Sequence, residues 1–101
     1  MKKIINSTET LVEDTLRGYT MAHGDIIRLV PGTHMVERVR PKEAGKVRML
    51  MGNGAGHEPA VACWVGLGMF DLNVVGEIFT CASSAHIYEG IRRLSAGGPV
   101  L

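Results

Sequence analysis

The residues best suited to chemistry lie in one run, Gly52-Asn53-Gly54-Ala55-Gly56-His57-Glu58-Pro59. Imidazole titrates closest to neutral pH, so His57 is the natural proton exchanger of the run. The glycines before it let the backbone approach a small polyol or carbonyl compound and free amide N–H groups to donate. A Walker A loop is excluded, because His57-Glu58 follows Gly56 where Lys and then Ser or Thr are needed. The dinucleotide fingerprint fails as well, since His57 stands three positions after Gly54, where glycine or alanine is required. Val61 occupies the second histidine position of a His-Glu-x-x-His zinc site, and Cys63 and Cys81 lack zinc-type spacing. No metal site is therefore expected. From the residues alone, two roles for His57 stay open: proton transfer to a ligand, or a structural bond to the backbone that follows.

Such a loop needs a strand before it and an element start after it. Lys46-Val47-Arg48-Met49-Leu50-Met51 grows apolar as a strand entering a sheet does, and Pro59 suits the first turn of a helix reaching about Val65. Asn73 to Thr80 reads as a second buried strand. Ser83 or Ser84 caps a helix through Ile87, Tyr88, Ile91 and Leu94, which Gly97-Gly98 ends. Upstream, Ser7 or Thr8 caps a helix with Val12, Leu16 and Tyr19 on one face and Gly24 past its end. After the Pro31-Gly32 turn, His34 to Arg40 alternates as a strand with one wet face near a sheet edge. The sum predicts an α/β fold, a mostly parallel sheet with flanking helices, with the glycine loop at a strand's carboxyl end, where ligands bind such sheets. Glu77, on an apolar strand, is expected to brace that loop. Trp64 is read as a core or subunit-contact anchor, the methionines as core filler, Cys81 as buried and inert, and Arg92-Arg93 as structural cations at a helix end.

Composition removes other classes. Eleven basic and ten acidic residues give a net charge of +1 over 101 residues, no footprint for nucleic acid or anionic membrane. No run approaches the ~20 apolar residues of a bilayer span. Asn6, Glu9, Glu13 and Asp14 interrupt any signal peptide, and two cysteines are too few for a disulfide framework. A cytoplasmic, reduced protein is expected. Pro99-Val100-Leu101 reads as the first residues of another strand, so residues 1–101 are expected to be an incomplete part of a longer chain.

The loop, the later Gly66-Leu67-Gly68-Met69 and Gly76-Glu77-Ile78-Phe79-Thr80 blocks, and Gly45-Lys46-Val47 together resemble the substrate-binding K subunit, or K domain, of dihydroxyacetone kinases. The opening Met1-Lys2-Lys3-Ile4-Ile5-Asn6 fits the same pattern, and the resemblance runs over the whole chain. It implies the N-terminal part of a larger two-domain subunit, a homodimer when complete. It places backbone contacts to a short ketose on Gly54, Ala55 and Gly56, and assigns His57 as the acid/base of phosphoryl transfer. It puts ATP and Mg on a separate nucleotide-bearing L domain or subunit, recharged in some systems by a phosphoryl carrier, so this chain itself holds no cofactor. The family's hemiaminal-forming histidine, a lysine and an aspartate fall beyond Leu101, so the 101 residues alone are expected to be inactive. His23, His34 and His86 do not match the hemiaminal position. Asn53 and Ala55 stand where triose enzymes usually carry glycine and serine, and Phe70-Asp71-Leu72-Asn73 and Cys81-Ala82-Ser83-Ser84 also depart from the pattern. A tetrose such as erythrulose is therefore an alternative substrate, and a non-catalytic ligand-binding or regulatory paralogue is the alternative function.

Overall fold

In the computed structural model, which describes residues 1–60 and 62–101, helix α1 spans Leu11–Ala22 and buries Val12, Leu16 and Thr20 along one stripe. Its N-cap is Thr10 rather than the expected Ser7 or Thr8, and several polar groups hold that start. The Thr10 amide donates to Ser7 Oγ at 3.1 Å, and the Asp14 carboxylate accepts from Thr10 Oγ1 and Asn6 Nδ2, each at 2.9 Å. His23 closes the helix just before Gly24.

Strands β1 (Ile27–Leu29) and β2 (Met35–Arg38) form a hairpin across the Pro31-Gly32 turn, where Gly32 takes a left-handed φ of 72°. Strand β3 is Leu50–Ala55 and β4 is Leu72–Ile78. The sheet order is β1-β2-β4-β3, antiparallel at β1/β2 and β2/β4 and parallel at β3/β4. The α/β architecture with flanking helices is as expected, but the sheet is mixed rather than mostly parallel. A short turn can join only antiparallel neighbours, so Pro31-Gly32 dictates the hairpin, and the single crossover supplies the parallel pair. The chain end extends that parallel side. Arg48 N donates to Pro99 O, Leu101 N to Arg48 O and Leu50 N to Leu101 O, each at 2.8 Å.

Two further expectations are corrected. The helix expected over 59–65 is a turn followed by a short 3-10 helix, Ala62–Trp64, with Val61 outside the described residues. One or two turns do not repay α-helix nucleation without a strong apolar stripe. And β2 is neither wet nor at an edge: it lies between β1 and β4 with all four residues buried. Its polar positions are buried as ion pairs, which alternation alone reads as solvent exposure.

Helix α2 (Ser84–Ser95) starts at Ser83, whose Oγ accepts from His86 N at 3.3 Å. It packs on one sheet face, its Leu94 clustered with Met35, Leu72 and Val74, while α1 covers Val36, Ala55 and Val75 on the other. Among the described residues no helix is long and apolar enough to cross a membrane.

Candidate functional site

The glycine run begins inside β3 and ends in the turn beyond it. Its small residues are needed first for packing against the chain itself. A Cβ on Gly54 would stand 2.9 Å from both the amide nitrogen and the carbonyl oxygen of Thr80. A Cβ on Gly52 would run into Ile87 Cδ1 of α2, and one on Gly76 of β4 into the Thr80 carbonyl oxygen. The segment after β4 therefore lies directly on the loop, tied by Phe79 N donating to Ala55 O at 2.8 Å. Gly56 adopts a φ of 108°, and the Phe79 ring fills the place where its side chain would be, 2.9 Å away. At Gly54 and Gly56 of the loop glycine is therefore dictated by geometry rather than by a ligand.

His57 follows at once, exposed on the turn. Its carbonyl accepts from Ala60 N at 3.1 Å, and no side-chain hydrogen bond holds its ring among the described residues. The loop is braced by Glu58, whose Oε2 accepts from Gly56 N at 3.0 Å. Glu77, expected in that role, is exposed and lies 3.8 Å from His34 Nδ1 instead. The structure thus brings Gly54, Ala55, Gly56 and His57 together at the carboxyl end of β3, with a backbone fixed from both sides and a free imidazole at its tip.

Asn53, where the resembling triose enzymes usually carry glycine, is buried and donates from Nδ2 to Gly54 O at 2.6 Å. Asn73, on the neighbouring strand, is wholly buried. A polar amide inside an otherwise apolar strand was the available signal. Trp64 is 45% exposed and Met69 48%, so neither is core, and Cys63 and Cys81 are both exposed free thiols. Burial, reinforced by the Cys63 thiol, pushes the Tyr19 hydroxyl well above the ordinary phenol range. His34 and His86 do not join the loop. They line a groove of about 430 Å³ between β2 and α2. Among the described residues no group of three or more His, Cys, Asp or Glu side chains could hold a metal ion.

The buried carboxylates are elsewhere. Burial raises the Glu37 carboxyl, but bonds from Arg93 and Arg28 outweigh it and hold the group below its ordinary value. Asp71 follows the same logic: burial opposes ionisation, and Lys42, the Met49 amide and Arg38 together win.

Residues 17–101 match the model of the Dak1 domain. This chain belongs to the Dak1 domain family. It is 43% identical over 101 residues to the dihydroxyacetone-binding subunit DhaK of PTS-dependent dihydroxyacetone kinase 1 from Listeria innocua, covering all of this chain and 30% of that protein. It is 34% identical to an L-erythrulose 1-kinase of Mycolicibacterium smegmatis, again over its whole length but only 17% of the relative. Among solved structures, a dihydroxyacetone kinase from C. freundii in complex with AMP-PNP and Mg2+ superposes with a TM-score of 0.80 at 27% identity. That match covers 97% of this chain and 18% of the kinase. The chain therefore spans less than a third of the length of these relatives, and what it shares with them is this Dak1 segment.

Proposed function

We propose that this chain is part of the substrate-binding unit of a kinase that phosphorylates dihydroxyacetone or a similar short ketose such as erythrulose. The observation that carries the reading is the placement of His57: an exposed imidazole at the tip of a rigid glycine loop, in a chain that resembles a named dihydroxyacetone-binding subunit over its full length. Phosphoryl transfer needs positioning and charge stabilisation more than covalent chemistry from the protein. Backbone groups of Gly54, Ala55 and Gly56 hold the ketose. The ketose hydroxyl oxygen attacks the phosphorus of the donor, the bond from phosphorus to the donor's leaving oxygen breaks, and the hydroxyl proton passes to His57. ATP and Mg are supplied by a nucleotide-bearing partner domain or subunit, and none is held here. The complete protein works in the cytoplasm as a homodimer.

The test uses the complete protein that carries this sequence, together with its nucleotide-bearing partner, and measures phosphorylation of dihydroxyacetone and of L-erythrulose. His57→Asn is expected to lower kcat by about 10²–10⁴ on the preferred ketose, the usual weight of general acid–base catalysis. An unchanged kcat with an unchanged circular dichroism spectrum would remove His57 from the reaction. Failure of both ketoses to react with the wild-type protein would remove the kinase reading.

A further inference from the structure

At the other end of the strands from His57, a cleft of about 220 Å³ is walled by the β1–β2 hairpin, the residues entering β3 and the end of α2. Arg28, Arg38, Lys42, Arg48 and Arg93 line it with only two carboxylates, Glu37 and Asp71. This local excess of three positive charges exceeds the net charge of the whole chain, +1.

Both carboxylates are already fully engaged. Glu37 Oε1 accepts from Arg28 Nε at 2.7 Å and Arg93 Nη2 at 2.8 Å, and its Oε2 from Arg93 Nε at 2.6 Å. Asp71 Oδ1 accepts from Arg38 Nη1, and its Oδ2 from Lys42 Nζ and the Met49 amide, each at 2.8 Å. Among the described residues Arg48 has no carboxylate partner. Its Nη1 and Nη2 reach only the carbonyl oxygens of Leu94 and Lys42, at 3.3 and 3.1 Å. The Nε–H groups of Arg38 and Arg48 are both buried without an acceptor among the described residues. Arg38 is itself only 8% exposed. Buried donors of a charged group left unpaired are costly, and low-dielectric walls concentrate the field of unbalanced cations in a cleft.

We propose that this cleft binds a small oxyanion, a phosphate group, through Arg38, Lys42 and Arg48. Guanidinium forks match the planar edges of phosphate and carboxylate alike. The charge excess selects between them: a phosphate monoester carries about −1.5 to −2 at neutral pH, a carboxylate only −1. The cleft holds several times the ~30 Å³ that one water occupies in the liquid, room for the anion with part of its hydration. Seven residues along the β3 direction separate Arg48 from Ala55, roughly 20 Å at ~3.3 Å per residue. The anion is therefore not one poised to react at His57, and the proposal stands independently of the ketose reading.

Inorganic phosphate titrated into the complete protein at fixed ionic strength, with chloride as the balancing ion, tests it by calorimetry and by the unfolding temperature. Saturable binding is expected, undiminished by excess dihydroxyacetone. Arg48→Lys keeps the charge but loses the fork and its buried Nε–H, and should weaken phosphate roughly tenfold or more. Arg38→Lys keeps a cation beside Asp71 and gives the same reading should Arg48→Lys fold poorly. Absence of saturable binding, competition by dihydroxyacetone, or wild-type affinity in both variants overturns the proposal. An acidic side chain from elsewhere in the complete protein, already seated in the cleft, would give the first of those results, with Arg48→Lys destabilising the protein in the absence of phosphate.

Discussion

Gly54→Ala is the substitution that most directly connects packing to the site. Its Cβ would stand 2.9 Å from Thr80 N and O and 3.0 Å from Thr80 C, whereas carbon contacts settle at about 3.5–4.0 Å. Every atom met is backbone, so no side-chain rotation relieves the clash. β3 and the segment after β4 must part by roughly half an ångström or more, which as overpacking costs about 1–3 kcal/mol. The same displacement moves the loop that carries His57. Since a misplacement of about 1 Å can cost ~10²-fold in a positioned reaction, about a tenfold fall in kcat/KM is expected. The assay is ketose phosphorylation by the complete protein with its partner, alongside urea denaturation. Gly18→Ala in α1 is the control: its Cβ meets nothing within 4 Å, and replacing an exposed helical glycine should add up to about 1 kcal/mol of stability with no loss of rate. Wild-type kcat/KM and stability in Gly54→Ala would refute the claim that the loop is held by its contact with Thr80.

Asp71→Ala should destabilise by about 3–5 kcal/mol in chemical denaturation, because it leaves the buried Arg38 cation without its carboxylate. Glu37→Ala should cost clearly less, since the partners it abandons, Arg28 and Arg93, are 57% and 41% exposed and regain water; a larger loss for Glu37 would reverse the ranking. Both carboxyls are held below their ordinary values of 4.5 and 3.8, so the stability they give is complete above those values and drains as pH falls below them through the folded-state titrations. An acid unfolding curve that Asp71→Asn leaves unshifted would contradict this. The 101 residues by themselves should show no turnover of dihydroxyacetone with ATP, and measurable turnover by the pure chain would show that the reacting groups are all within it.

Much of this was local and therefore legible. Helical spacing in Val12, Leu16 and Tyr19, serine before α2 and the glycine pair after it fixed both helices closely, because caps and periodic faces act within a few residues. The exclusion of phosphate-loop and zinc chemistry was also a matter of spacing; His57 stood out by its residue type in a glycine run, whereas the choice of Gly54, Ala55 and Gly56 rested on the family resemblance. Pairing was not local. The Pro31-Gly32 turn announced a change of direction, but only the assembled sheet places β2 between β1 and β4, where Glu37 and Arg38 become buried. Their partners Arg93 and Asp71 lie 56 and 33 residues away. The same distance in sequence hid the role of the glycines: nothing near Gly54 says that Thr80 will lie on it, or that Glu58 rather than Glu77 will hold the loop. The chain's own residues determined which side chains could do chemistry and which elements would carry them. Tertiary structure alone decided which charges are desolvated together and which backbones touch, because those energies exist only once distant segments share one interior.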